Sequence, residues 1–265
     1  MTELEYRQAP GMSRSTLWKL RELGTPEKFK HYLDNPEDPS PAMVFGQVLH
    51  KLLLQRDAFL DDFAVAPPVD RRTKAGKAEY EKFLEIKGDR IEICRADYET
   101  AVEMVKKVLS VPYVPRLLRG DRERPIFWTD EISGIACKAR LDVLTEVSGA
   151  PVIVDYKTTN DASDVGFARS VIKYGYDFQT AYYSEAVKAL TGISPRFVFI
   201  AQEKTAPYAV NIIEADALTI QRGYDTFREL LELYKECSES GNWYGYLGPE
   251  NRINMLALPA WALND

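Results

Sequence analysis

Several residue types and patterns are scarce in this 265-residue sequence, and each scarcity removes a class of protein. Cysteine occurs three times, at Cys94, Cys137 and Cys237, and no pair has CxxC spacing. An odd number so placed argues against a disulfide framework and a structural zinc site, and it fits a reducing compartment. No apolar run approaches the roughly 20 residues needed to span a bilayer. The opening MTELEYRQAPGMSRS lacks the apolar centre of a signal peptide, so the expected location is the cytoplasm. Internal repeats and low-complexity segments are missing as well. So is an excess of basic charge: the net charge of −6 argues mildly against nucleic acid, which prefers basic surfaces.

The average charge conceals local contrast. RRTKAGK (71–77) holds Arg71, Arg72, Lys74 and Lys77 with no acid, and PRLLRGDRERP (115–125) holds Arg116, Arg119, Arg122 and Arg124 against Asp121 and Glu123. Each reads either as a solvated surface segment or as a grip on a polyanion. The hydrophobic content of 45% is that of a globular chain, long enough to bury a core without staples.

The spacing of apolar residues predicts helices first. SRSTLWKLREL (13–23) reads as a helix with Ser13 as N-cap and Leu17 and Leu20 on its apolar face. A proline-rich break follows at 31–41. AMVFGQVLHKLLLQ (42–55) has strong helical periodicity, with Val44, Val48, Leu52 and Gln55 tracking one face and Phe45, Leu49 and Leu53 beside it. Residues 64–76 read as a loop, and 77–87 and 95–110 as two more helices. The texture then changes to strands at 124–132, 135–147 and 151–158, the second and third joined by the turn SGA (148–150) as an antiparallel hairpin. Helices are expected at 161–175 and 177–192, strands at 196–204 and 208–216, and a long amphipathic helix at 217–240. In the tail, Met255, Leu256, Leu258, Trp261 and Leu263 are apolar enough to need a cover, either their own domain or another copy. This order suggests one α/β domain over 1–265. A helical region (1–120) would wrap onto a central mixed sheet with its helices (121–240), followed by a tail (241–265).

The chemistry concentrates in VIVDYKTTND (152–161). Side chains two apart in a strand share a face, so Asp155 and Lys157 stand side by side where an apolar strand runs out. Asp142, across the hairpin at the end of CKARLD, can converge on the same sheet end. Two close carboxylates repel unless a cation lies between them, and oxygen ligands suit magnesium or manganese. A lysine beside a metal-bound water completes a site for hydrolysing a phosphodiester. Against this, D-x-K triplets are frequent, and a surface salt bridge at a strand end is the more usual explanation of one by itself; the apolar strand before Asp155 and the placement of Asp142 favour a site. His50, one of only two histidines, sits on the apolar helix FGQVLHKLLL either as a core residue or as a further ligand. Glu131 is either another ligand or a solvated strand end.

The order GQVLH, ARLD, VDYK, QTAYY resembles the PD-(D/E)XK nuclease superfamily, and within it the RecB-like group, with its upstream His, Asp, D-x-K and Q-x-x-x-Y. Up to about residue 240 the chain is most similar to the nuclease domain of RecE-type exonucleases (exonuclease VIII) and their phage-borne relatives. MSRSTLWKLRELGTPEKFKHYL resembles that family's opening helix with its Ser-x-Ser-x-Leu pattern. FGQVLHKLLLQRDAF and DRRTKAGKAEY resemble its next two segments. The sequence departs from the superfamily's name in that Leu141, not proline, precedes Asp142.

The resemblance implies an α/β PD-(D/E)XK core. It makes His50, Asp142 and Asp155 metal ligands, with the Tyr156 carbonyl completing the shell, and Lys157 the catalytic lysine. Gln179 and Tyr183, at i and i+4 on one helix face, would touch substrate phosphate or brace the lysine; alternatively they pack that helix on the sheet. The implied cofactor is Mg2+, with Mn2+ as a substitute. The implied activity is 5′-to-3′ digestion of one strand at double-stranded DNA ends, with Arg71, Arg72, Lys74 and Lys77 among the backbone contacts. This would leave 3′ tails for a single-strand annealing partner in recombination, in a bacterial or phage-infected cell. A ring-shaped homo-oligomer, most simply a tetramer, is also implied. The alternatives are a single-strand or endonucleolytic RecB-like DNase, a non-catalytic DNA-binding module of the same fold, and a small-molecule metalloenzyme.

Overall fold

The computed structural model describes residues 1, 3–36 and 39–259, so Trp261 and Leu263 of the apolar tail lie outside the described residues. A short helix α1 (Glu3–Gln8) and a two-residue strand β1 (Met12–Ser13) lead into α2 (Arg14–Leu23). The Ser13 side chain accepts the N–H of Thr16, satisfying a donor that the helix start leaves free. Next come α3 (Pro26–Asp34), α4 (Pro41–Leu54), α5 (Phe59–Asp62), β2 (Phe63–Val65), α6 (Lys74–Lys87), β3 (Ile91–Ile93), α7 (Arg95–Leu109) and α8 (Val114–Leu117). The remainder is β4 (Asp121–Thr129), β5 (Ala136–Val147), β6 (Ala150–Thr159), α9 (Asp164–Tyr174), α10 (Tyr176–Thr191), β7 (Arg196–Glu203), β8 (Val210–Glu214) and α11 (Ala217–Ser240).

Two expectations need correction. The break expected at 31–41 begins only after Asp34, because Thr25 caps, and Pro26 starts, a helix that runs through the first four of those residues. The loop expected at 64–76 contains the end of β2, which pairs in parallel with β3. Three-residue strands are too short to show an alternation, and the pairing is made across the whole of α6.

A mixed six-stranded sheet forms the centre, ordered β1-β5-β6-β7-β8 with β4 on the other edge of β5. The β5–β6 hairpin turns at Ser148 and Gly149, both with positive φ (54° and 80°), the backbone that matches the twist of a tight hairpin. β6 and β7 run parallel, joined through α9 and α10. Strand residues alternate between two cores. Ile153, Phe197 and Phe199 face α2, α10 and α11. Val152, Val154, Tyr156, Val198 and Ile200 face α4 and α7. The N-terminal helices thus supply a layer to each face of the sheet.

One interruption positions everything that follows. On the edge of β5 opposite β4, residues 143–147 pair with β6 and residues 137–138 pair with β1. Between them the β6 ladder stops: Val143 pairs with Val154, but the next backbone donor, the N–H of Tyr156, goes to the Asp142 carboxylate at 2.8 Å. Leu141 packs in one core and Val143 in the other, although residues two apart share a face of a regular strand. β5 therefore turns over at Asp142. Opposite it on β4, between the pairs Arg122–Val143 and Arg124–Leu141, Glu123 has φ +50°, a conformation uncommon for a residue with a side chain.

Candidate active site

The sheet splits where β5 and β6 part, and acidic side chains gather there. Asp142 Oδ2 lies 3.4 Å from His50 Nδ1, which α4 brings across the sheet from the side of the second core. The His50 ring also stands edge-on to Tyr156 at 5.4 Å. Glu123 joins them from β4: one ligand atom each of His50, Glu123 and Asp142 lie within 4.8 Å of one another, all half-buried. Arg140, two residues before Asp142, holds Glu123 Oε2 at 2.8 Å.

Asp155 and Lys157 stand beside this triplet on β6. Lys157 Nζ is 2.5 Å from Asp155 Oδ2, and the ammonium also lies 5.2 Å from the centre of the Tyr176 ring. Asp155 is only 1% exposed, and its other oxygen accepts from Nε2 of Gln179 on α10. A carboxylate so deeply buried is tolerated only with such partners. Gln179 thus contacts the aspartate. Tyr183, one turn further along α10, is half-buried. Burial, and then the charges of Asp155 and Asp142, push its hydroxyl pKa well up.

The two aspartates are driven apart electrostatically. Burial works against ionisation of Asp142, but His50, Lys157 and the Tyr156 N–H outweigh it and hold the pKa below the usual carboxylate range. For Asp155, burial assisted by the like charge of Asp142 outweighs Lys157, and the pKa is raised. Burial would lower the pKa of His50 and of Lys157. Asp142 outweighs it at His50, and Asp155 with Asp142 outweighs it at Lys157, so both are raised. Carboxylates this close repel one another, which favours a cation between them.

The donor set fits a divalent cation of the magnesium or manganese kind: an imidazole and two carboxylates in the triplet, a third carboxylate alongside, and no thiolate. Glu123 was not among the expected ligands. It lies in the charged run DRER, ahead of the strand expected from residue 124 and read as a solvated surface segment or a grip on a polyanion; the strand begins at Asp121, and the β4–β5 register sets Glu123 opposite Asp142. Glu131, the acid considered in that strand, is exposed in the turn after Thr129. It is eight residues from Glu123, roughly 25 Å along an extended chain. Tyr176, also unanticipated, shows no sequence signal beyond its nearness to the Q-x-x-x-Y pair.

Of the two basic segments, the second runs into the site, because Glu123 lies within it. Arg71 lies over the Tyr80 ring at 4.0 Å, Arg72 pairs with Asp70 at 3.0 Å, and Lys74 and Lys77 are exposed on the first turn of α6. Of all α6 residues only Gly76 is buried, so this helix presents its charges to solvent on every side. In the second segment Arg122 caps α4 through the Leu54 carbonyl, and Arg124 pairs with Asp121. No helix among the described residues is long and apolar enough to cross a membrane.

The sequence profile of a family described as a PDDEXK-like domain of unknown function (DUF3799) matches residues 13–251. A solved structure from Eubacterium rectale, described as a candidate exonuclease, superposes with a TM-score of 0.63 at 17% identity, covering 100% of this chain and 98% of that one. At that identity the likeness speaks for the fold. A second solved structure, of SSO0001, gives a TM-score of 0.29 at 15% identity over 71% of this chain and 86% of that one, and carries no argument. No curated protein matches the sequence.

Proposed function

The chain belongs to the PDDEXK-like DUF3799 family, and on that premise we propose that it is a Mg2+-dependent exodeoxyribonuclease acting on the ends of double-stranded DNA. The observation that carries this reading is the contact between Lys157 and Asp155 beside the His50, Glu123 and Asp142 triplet, where β5 and β6 part.

His50, Glu123, Asp142 and Asp155 would hold the metal, which when bound supplies Lewis acidity toward the phosphate and lowers the pKa of an attacking water. The protein's own residues do the rest. Gln179 fixes the Asp155 carboxylate, Asp155 fixes the ammonium of Lys157, and the Tyr176 ring limits where that ammonium can swing. A fixed cation beside the reacting phosphate stabilises charge that grows in the transition state, without reorganisation at the moment of reaction. The acids repel a polyanion, so duplex must be held from outside the site. The exposed Lys74 and Lys77 of α6 are suited to this, with Arg71 and Arg72 once released from their present partners.

The finer reading rests on the resemblance to RecE-type nucleases. In it digestion runs 5′ to 3′, the 3′ tail passes to a single-strand annealing protein, and four copies close into a ring around the duplex. The exposure of Ile253, Met255, Leu256 and Leu258 in the tail is in keeping with a surface that another copy covers. Sedimentation velocity at micromolar concentration tests the tetramer, and a monomer overturns it.

The deciding experiment uses linear duplex labelled at either the 5′ or the 3′ end, and closed-circular duplex, each with and without Mg2+. The expected result is metal-dependent loss of the linear substrate, 5′ label first, with the circle intact. Release of 3′ label first reverses the polarity. Cutting of the circle favours the endonucleolytic alternative, and binding without cleavage the DNA-binding module.

A further inference from the structure

Arg14 lies outside the metal-binding triplet, yet it grips the segment from which two supports of the Asp155–Lys157 pair project. It is the first residue of α2, and its guanidinium reaches the junction between α9 and α10. There Nη2 donates to the carbonyl oxygens of both Tyr174, at 2.8 Å, and Gly175, at 2.6 Å. A helix end leaves its last carbonyls without partners in the helix, so this contact closes α9 from outside. The same guanidinium lies 5.7 Å from the ring centres of Trp18 and Phe178. Its Nε is shut off from solvent and has no hydrogen-bond partner.

The junction has little freedom. Gly175 has φ +64°, and a Cβ there would come within 2.5 Å of the Trp18 indole. Arg14 and Trp18, one turn apart on α2, therefore hold the α9–α10 corner by hydrogen bonds and by van der Waals contact. The residue after the corner is Tyr176, whose ring faces Lys157; one turn along α10 is Gln179, which donates to Asp155. A shift of the corner would move both supports together.

We propose that Arg14 is a positioning residue for the catalytic pair: it fixes the α9–α10 corner from the N-terminal helix, and so sets Tyr176 against Lys157 and Gln179 against Asp155. The proposal rests on the nuclease reading for the meaning of that pair, but its mechanical content is independent of it. It also gives a role to the Ser13–Leu17 stretch. Ser13 caps the helix, Leu17 anchors it in the core, and Arg14 reaches the corner. Lysine is a poor substitute, because its compact, strongly hydrated ammonium lacks the weakly hydrated, planar guanidinium that lies near both rings while reaching the carbonyls.

The test compares the full-length wild type with Arg14→Lys and Arg14→Ala. Displacement of reacting groups by about 1 Å costs on the order of 100-fold in rate, so kcat on linear duplex should fall by that order in Arg14→Ala. KM for duplex should stay at the wild-type value, because Arg14 is not among the residues proposed to hold the duplex, whereas the calorimetric Mn2+ affinity should fall as the Gln179 brace on Asp155 loosens. Arg14→Lys keeps charge and bulk, carries the test if the alanine variant does not fold, and should also lose kcat. A second readout needs no turnover: the Gln179 side-chain amide resonance, shifted by its bond to Asp155, should move toward a solvent-exposed position in Arg14→Lys. A folded Arg14→Lys with wild-type kcat and an unmoved Gln179 resonance would overturn the proposal. A moved resonance in a protein whose wild type does not cleave DNA would uphold the positioning role and overturn the nuclease reading instead.

Discussion

Replacing Lys157 with alanine separates the two things the lysine does. Asp155 is 1% exposed and has two partners, the Lys157 ammonium at 2.5 Å and the neutral amide of Gln179. Without the lysine, a buried carboxylate keeps a single neutral donor, and breaking a buried ion pair in this way costs about 3–5 kcal/mol of stability. The molecule has one relief, which is to protonate. The Asp155 pKa is already raised by burial and by Asp142, and loss of the opposing cation raises it further. A carboxyl whose folded pKa lies above its unfolded value of about 3.9 binds more protons when folded, so stability falls as pH rises between the two values. The gap between variant and wild type should therefore be small near pH 4–5 and widen toward pH 8. Activity should fall by about 10²–10³-fold, the usual effect of removing one preorganised charge-stabilising group, while duplex binding persists through contacts outside the site. Urea denaturation across that pH range, with initial rates on end-labelled duplex in Mg2+, reads both effects. A variant that keeps more than a tenth of the wild-type rate removes Lys157 from the mechanism. A stability gap that does not change with pH refutes the account of Asp155.

Glu123→Gln should weaken Mn2+ binding by at least about tenfold in calorimetric titration, whereas Glu131→Gln, exposed in the turn after β4, should leave it unchanged; equal effects would break the assignment of Glu123 to the cluster. Asp142→Asn and Asp155→Asn should each lower metal affinity as well as rate, and unchanged affinity in both would separate the hairpin carboxylates from the metal. Asp130, buried and paired with Arg228 at 2.7 Å, tests stability away from the site. Burial opposes its ionisation, but Arg228 and Ser133 outweigh it and depress the pKa. Its contribution is thus present above the unfolded carboxylate value of about 3.9 and lost as pH falls through the lower folded value. Asp130→Asn should cost about 3 kcal/mol at pH 7 and progressively less as pH falls below the unfolded carboxylate value, and a cost that grew or stayed constant on acidification would contradict this sign.

Much of the frame was legible because it depends on neighbours in the chain. The Ser13 cap, the helical period of 42–55 and the turn at Ser148 and Gly149 are short-range effects that act within a few residues. The side-by-side placement of Asp155 and Lys157 follows from strand pleating alone. Pairing across the hairpin already suggested that Asp142 and Asp155 converge on a divalent metal, and the resemblance of four short motifs in order then made His50 a ligand and not a core residue.

What the sequence could not contain is the break in the sheet. That β6 leaves β5 at Asp142, that the Asp142 carboxylate takes the Tyr156 N–H in place of a backbone partner, and that Glu123 twists to face it are consequences of strand register. Register is settled by the two cores on either side of the sheet together. His50 reaches the cluster because α4 buries Val48, Leu49, Leu52 and Leu53 against the second core, and Arg14 reaches the corner because α2 buries Leu17 and Leu20 against the first. Local sequence determined the elements and the chemistry each carries. Packing across separations as great as the 161 residues between Arg14 and Gly175 decided which side chains meet, because contacts between distant segments form only when both cores close at once.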